Sequence, residues 1–136
     1  MFVLDASVAL RWFLDKPIPA YACRVRQLLL AGDQAIVPSL WHLEMANSVA
    51  IAERRKILRA ADVDQALVEI ENLVSLFIRT EASSSTIRQA FTTARLFGLS
   101  AYDATYLHLA RRESLPLATL DDQLRAAARK TRVDIV

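Results

Sequence analysis

The sequence predicts an α/β fold in which a parallel sheet is flanked by helices. Three observations predict it. Short apolar runs alternate with helical segments in β-α-β-α order along the whole chain. Breakers are scarce, with Gly32 and Gly98 the only glycines and Pro17, Pro19, Pro38 and Pro116 the only prolines, so helices joined by short turns are favoured. Finally, Asp5 and Asp121 end strand-like runs, while Glu44 and Asp103 fall early in helical segments. An open parallel sheet brings strand C-termini and helix N-termini to one edge, and that edge holds the ligand site.

The elements follow in order. Residues 2 to 5 read as a buried strand, and residues 6 to 14 as a helix carrying Val8, Leu10, Trp12 and Leu14. Pro17 and Pro19 break it, and Pro19 suits the start of the next helix. That helix runs to about Leu30, with Gly32 at its C-terminal cap. Ala35-Ile36-Val37 is a second strand. Ser39 then caps a helix that places Leu40, Leu43, Ala46, Asn47 and Ala50 on the way to Arg54. Residues 60 to 73 continue with Leu67, Ile70 and Val74 at helical spacing. Leu76-Phe77-Ile78 reads as a third strand, although so short an apolar run is ambiguous. Ser83 to Ser85 open a helix that closes near Gly98, and Ser100 opens another containing Tyr106 and Leu107. Pro116 to Leu120 is a fourth strand, residues 122 to 130 a helix, and Val133-Asp134-Ile135 a final strand. There is no internal repeat, low-complexity tract or linker, so residues 1–136 read as a single domain.

Composition narrows the function. A hydrophobic fraction of 54% supplies ample core, and a chain of this length buries about 68% of the surface it exposes when unfolded. Cys23 is the only cysteine, which fits a reducing cytosol and a cytoplasmic location. Asp5 and Arg11 interrupt the apolar start, so we read no signal peptide, and no apolar stretch is long enough to span a bilayer. The net charge of +2 says little about partners by itself. The cluster Arg54, Arg55, Lys56 and Arg59 says more. Four cations exceed what one helix end needs, and they suit a phosphate backbone.

Each of the four acids has a structural alternative. Asp103 follows Ser100 by three residues, like a capping box with Asp in place of Glu. Asp121, or its neighbour Asp122, would serve as an N-cap. Glu44 benefits mildly from the helix dipole. Asp5 has the weakest alternative, since it interrupts an apolar run for little local benefit. The joint placement on one sheet edge is what favours function, because four gathered carboxylates repel unless a cation neutralises them. Oxygen-only ligands select Mg²⁺ or Mn²⁺. His42 and His108 lack the spacing and cysteine partners of a zinc site, and the isolated glycines exclude a phosphate-binding loop.

These residues resemble the PIN-domain ribonucleases, in particular the VapC-type toxins of toxin–antitoxin pairs. The matching pieces are Val3-Leu4-Asp5-Ala6-Ser7, Pro38-Ser39-Leu40 with Glu44 and Asn47, Leu99-Ser100-Ala101-Tyr102-Asp103-Ala104 before Tyr106-Leu107, and Pro116-Leu117-Ala118-Thr119-Leu120-Asp121. They come in the family's order and span nearly the whole chain. The resemblance implies a three-layer α/β/α sandwich. It also implies a metal site of Asp5, Glu44, Asp103 and Asp121, with Ser7, Asn47 and Thr119 holding or orienting it. Asp122 competes with Asp121 for the fourth place. The implied activity is endonucleolytic RNA cleavage by metal-activated water, in a homodimer with a cognate antitoxin as partner. A DNA substrate, or a non-catalytic binding module on the same fold, is the alternative.

Overall fold

In the computed structural model, which describes residues 1–82 and 85–136, four parallel strands form one sheet in the order β3-β2-β1-β4. The elements are β1 (Phe2–Leu4), α1 (Ala6–Leu14), α2 (Ala20–Leu30), β2 (Ala35–Pro38), α3 (Leu40–Arg54) and α4 (Ala60–Phe77). They continue with β3 (Ile78–Glu81), α5 (Ile87–Phe97), α6 (Ala101–Glu113), β4 (Leu117–Ala118) and α7 (Asp122–Lys130). The register pairs Val3 with Ile36 on one side and with Leu117 on the other, so β1 is central. Helices cover the sheet in a three-layer α/β/α arrangement. Parallel strands covered on both faces must be apolar throughout, and β1, β2 and β4 are buried at every residue.

Three expectations need correction. The third strand is Ile78–Glu81, because α4 runs on through Leu76 and Phe77. Phe77 packs against the core while Leu76 stays exposed, a helical division of one apolar run rather than a strand. The helix assigned to Ser83–Ser85 starts later. Ser83 and Ser84 lie outside the described residues, and α5 is capped by Thr86 in a full capping box with Gln89. The final strand reduces to one parallel bridge between Leu117 and Ile135, and β4 itself is two residues long.

The remaining termini follow the chemistry of the chain. Gly98 closes α5 with φ of 66°, and Gly32, one residue beyond the cap of α2, has φ of 99°. Both are left-handed positions, where a Cβ would strain the backbone. Ser39 precedes α3 but makes no side-chain cap hydrogen bond. Trp12 and Trp41 are core residues, and the Trp12 indole N–H donates to the Ala22 carbonyl at 2.8 Å. With all strands parallel, the residues that follow β1, β2 and β4 reach the same edge: Asp5, Ser39 and Thr119.

Candidate active site

Asp5 follows β1 and is the N-cap of α1. It is 4% exposed, and among the described residues Thr119 is the other buried polar residue. Its Oδ2 accepts from the Ser7 hydroxyl at 2.6 Å and from the Thr119 hydroxyl at 2.5 Å, and its Oδ1 accepts from the Ser7 backbone N–H at 3.3 Å. All of these donors are neutral. Burial pushes the Asp5 carboxyl above the usual carboxylate range, the hydroxyl bonds oppose this, and nearby Asp103 adds to it.

Two further acids share that field. Burial raises the Glu44 carboxyl, helped by repulsion from Asp5 and Asp103 and opposed by the hydrogen bond from the Tyr106 hydroxyl. Tyr106 is fully buried and donates to Glu44 Oε2 in a short hydrogen bond. Burial, followed by the nearby charges of Glu44 and Asp5, holds the phenol in its protonated, donating form. Asp103 stands one turn into α6, where Ser100 is the N-cap. The Ser100 hydroxyl donates to Asp103 Oδ2 at 2.6 Å and accepts from the Asp103 backbone N–H at 3.0 Å. Ser100 therefore caps the helix, but the box is not closed, because Asp103 Oδ2 accepts from the Ser100 hydroxyl instead of its backbone N–H, and Asp103 is coupled electrostatically to Asp5 and Glu44.

Asp121 stands apart from this trio. Its Oδ1 caps α7 by accepting from the Leu124 backbone N–H at 2.7 Å. It joins the others through its backbone, whose N–H donates to Thr119 Oγ1 at 3.1 Å. Asp122 is exposed in the first turn of α7. Ser7 ties the two ends together, because its Oγ also accepts from the Leu120 backbone N–H at 3.1 Å. Asn47 is exposed on α3.

The basic cluster lies elsewhere. Arg54 ends α3, Arg55 is its C-cap, and Lys56 follows in a left-handed conformation. Glu44 and Arg54 are separated by about 15 Å along the helix axis. Arg59 is engaged by Asp62 at 2.7 Å. His42 bonds Thr80 Oγ1 at 2.8 Å rather than an acid of the site.

The donor set suits a hard divalent cation. It offers carboxylates and hydroxyls, and a buried carboxylate surrounded by neutral donors gains most from a cation. Among the described residues, no group of three or more His, Cys, Asp or Glu side chains stands close enough to hold a metal ion as placed. Tyr106 holds Glu44 Oε2 and Ser100 holds Asp103 Oδ2, so the oxygens left free, Glu44 Oε1 and Asp103 Oδ1, would turn towards Asp5 on binding. Tyr106 is the candidate site residue that sequence reasoning did not assign. Its signal lay in the motif after Asp103, but its partner is 62 positions away.

The fold and this edge define a class, and comparison agrees with it. The PIN domain profile matches residues 2–130, so the chain belongs to the PIN domain family. PIN domains are generally nucleases, and they are typically dependent on divalent metals. Two crystal structures share the fold. PAE2754 from Pyrobaculum aerophilum is 21% identical with a TM-score of 0.69, over 93% of this chain and 83% of that one. FitAcB from Neisseria gonorrhoeae is 21% identical with a TM-score of 0.67, over 99% and 96%. No curated protein matches the chain in sequence. Among the described residues, no helix is long and apolar enough to cross a membrane.

Proposed function

We propose that this chain is a Mg²⁺- or Mn²⁺-dependent endoribonuclease in one domain, the toxin of a toxin–antitoxin pair. The observation that carries the reading is Asp5, a buried carboxylate with neutral donors only, electrostatically coupled to two further acids, Asp103 and Glu44. Asp5, Glu44 and Asp103 would hold the ion, with Asp121 swinging from its cap to contribute at the rim. When bound, the ion supplies charge neutralisation at the phosphate and lowers the pKa of a water.

This chain's residues do the rest. Ser7 and Thr119 fix Asp5 Oδ2. Tyr106 engages Glu44 Oε2 and leaves Oε1 free to turn towards the ion. Water attacks phosphorus and gives up a proton to solvent, the bond to O3′ breaks, and the departing O3′ takes a proton from solvent, so the products carry a 5′-phosphate and a 3′-hydroxyl. Arg54, Arg55, Lys56 and Arg59, remote from the acids, would hold flanking backbone electrostatically.

A partner surface supports the toxin reading. A groove of about 750 Å³ runs between α1 and α4, lined by apolar Phe13, Leu14, Ile57 and Leu58 and by charged Lys16, Arg59, Asp62 and Glu69. A second groove shares Trp12, Phe13 and Glu69 with it and continues over Leu30, Leu73 and Leu76. A cognate antitoxin would lay a helix or tail there and aim a basic residue at the acids. Exposed Leu43, Ile87 and Phe91 offer apolar area to a second copy in a homodimer.

The test is cleavage of RNA and of single-stranded DNA by purified protein, with Mg²⁺ or Mn²⁺ and with excess chelator. RNA cleavage that stops in chelator is expected. Chelator-resistant cleavage, or 2′,3′-cyclic phosphate ends, contradicts the mechanism. DNA cleavage alone moves the substrate and keeps the site.

A further inference from the structure

Thr119 is held from behind. It is fully buried, and while its hydroxyl donates to Asp5 at 2.5 Å, its carbonyl accepts from Arg125 Nε at 2.8 Å. The Arg125 guanidinium in turn stacks over the Tyr21 ring, 4.5 Å from its centroid. Arg125 lies in the first turns of α7, where the dipole disfavours a cation. Among the described residues no carboxylate stands at ion-pair distance to offset that cost. The Arg125 side chain is therefore committed to Thr119 and Tyr21 rather than to a carboxylate.

We infer that Arg125, clamped by the Tyr21 ring, is a positioning residue that fixes Thr119 so that its hydroxyl orients the Asp5 carboxylate. The geometry asks for arginine. Nε must donate to the Thr119 carbonyl while the guanidinium carbon stays over the ring, and lysine has neither the fork nor the plane. The Thr119 hydroxyl also accepts from the Asp121 backbone N–H at 3.1 Å. Displacing Thr119 therefore disturbs both ends of the acid edge. Groups that orient a metal ligand from outside typically change metal affinity by about 10–100-fold when removed. The inference rests on the proposed metal site for its affinity arm only.

The experiment uses the full chain and two readouts. Amide hydrogen exchange at Leu120 and Asp121, measured without metal, reports whether the Ser7 and Thr119 hydroxyls still hold those N–H groups. Mn²⁺ titration by calorimetry reports the acids. Arg125→Met and Arg125→Lys should both speed exchange at Asp121 and weaken Mn²⁺ binding about 10-fold. Tyr21→Leu should do the same to a smaller degree. In a Thr119→Val background, Arg125→Met should add nothing further to the loss of affinity. Should Arg125→Met fail to fold, Tyr21→Leu carries the comparison. Wild-type exchange at Asp121 in Arg125→Lys overturns the inference, because Arg125 would then act by charge alone. If wild type binds no Mn²⁺, the metal reading falls and the exchange arm alone decides the positioning role.

Discussion

Asp5 and Glu81 both sit at the C-terminal end of a strand of the same parallel sheet, yet they have opposite surroundings. Glu81 ends β3, an edge strand with exposed residues, and is matched by Arg112 at 3.1 Å and Arg79 at 3.6 Å. Asp5 follows central β1, is buried, and receives hydroxyl and amide donors only. A carboxylate at a strand end is thus no site by itself. Position on the edge gathers acids, and neutral donors around Asp5 leave a charge for an ion to neutralise.

Substitution should separate the two regions sharply. Asp5→Asn and Asp103→Asn should lower RNA cleavage by at least about 100-fold, more than loss of an outer partner costs, with circular dichroism unchanged. Glu81→Gln should leave cleavage within about twofold. Equal losses at Glu81 and Asp5 would erase the distinction drawn here. Tyr106→Phe comes next. It removes the donor that holds Glu44 Oε2 and should lower cleavage by about 10-fold. An unchanged rate would reduce Tyr106 to a packing residue.

Stability should divide the same way. Exposed ion pairs contribute about 0–1 kcal/mol, so Glu81→Gln should cost no more than that in urea denaturation. Asp5 and Glu44 have folded pKa values raised above their unfolded ones. Their contribution favours the fold below the unfolded carboxylate range and is lost as pH rises through the raised folded values. The metal-free protein should therefore lose stability from mildly acidic towards neutral pH. Asp5→Asn should flatten that decline, and urea midpoints at several pH values read it directly.

Much of this was legible in the chain. β1, β2, α1, α2, α3, α6 and α7 follow from apolar runs, breakers and caps, because their local signals agree with their tertiary roles. The offset of β3 was not legible, since Leu76-Phe77-Ile78 fits a strand and a helix end equally well until the core shows which side chain it takes. The Thr86–Gln89 box was hidden behind three serines with equal local claims. At the site, the placement of Asp5, Glu44 and Asp103 follows from strand and helix ends, and capping by Asp121 follows from its place before α7. The Tyr106–Glu44 bond and the Arg125–Thr119 contact depend on how helices dock, and spacing in the sequence carries no record of that. The ion pairing of Glu81 was unreadable for the same reason.

The most direct measurement of the central claim is the melting temperature of wild type and Asp5→Asn, each with chelator and with Mn²⁺. An ion that binds only the folded state raises stability with its excess over Kd. Wild type should melt higher with Mn²⁺ than with chelator. Asp5→Asn with chelator should melt at or above wild type near neutral pH and lose most of the response to Mn²⁺. If Asp5→Asn instead melts well below wild type with chelator and responds fully to Mn²⁺, Asp5 is a structural residue and the ion binds elsewhere.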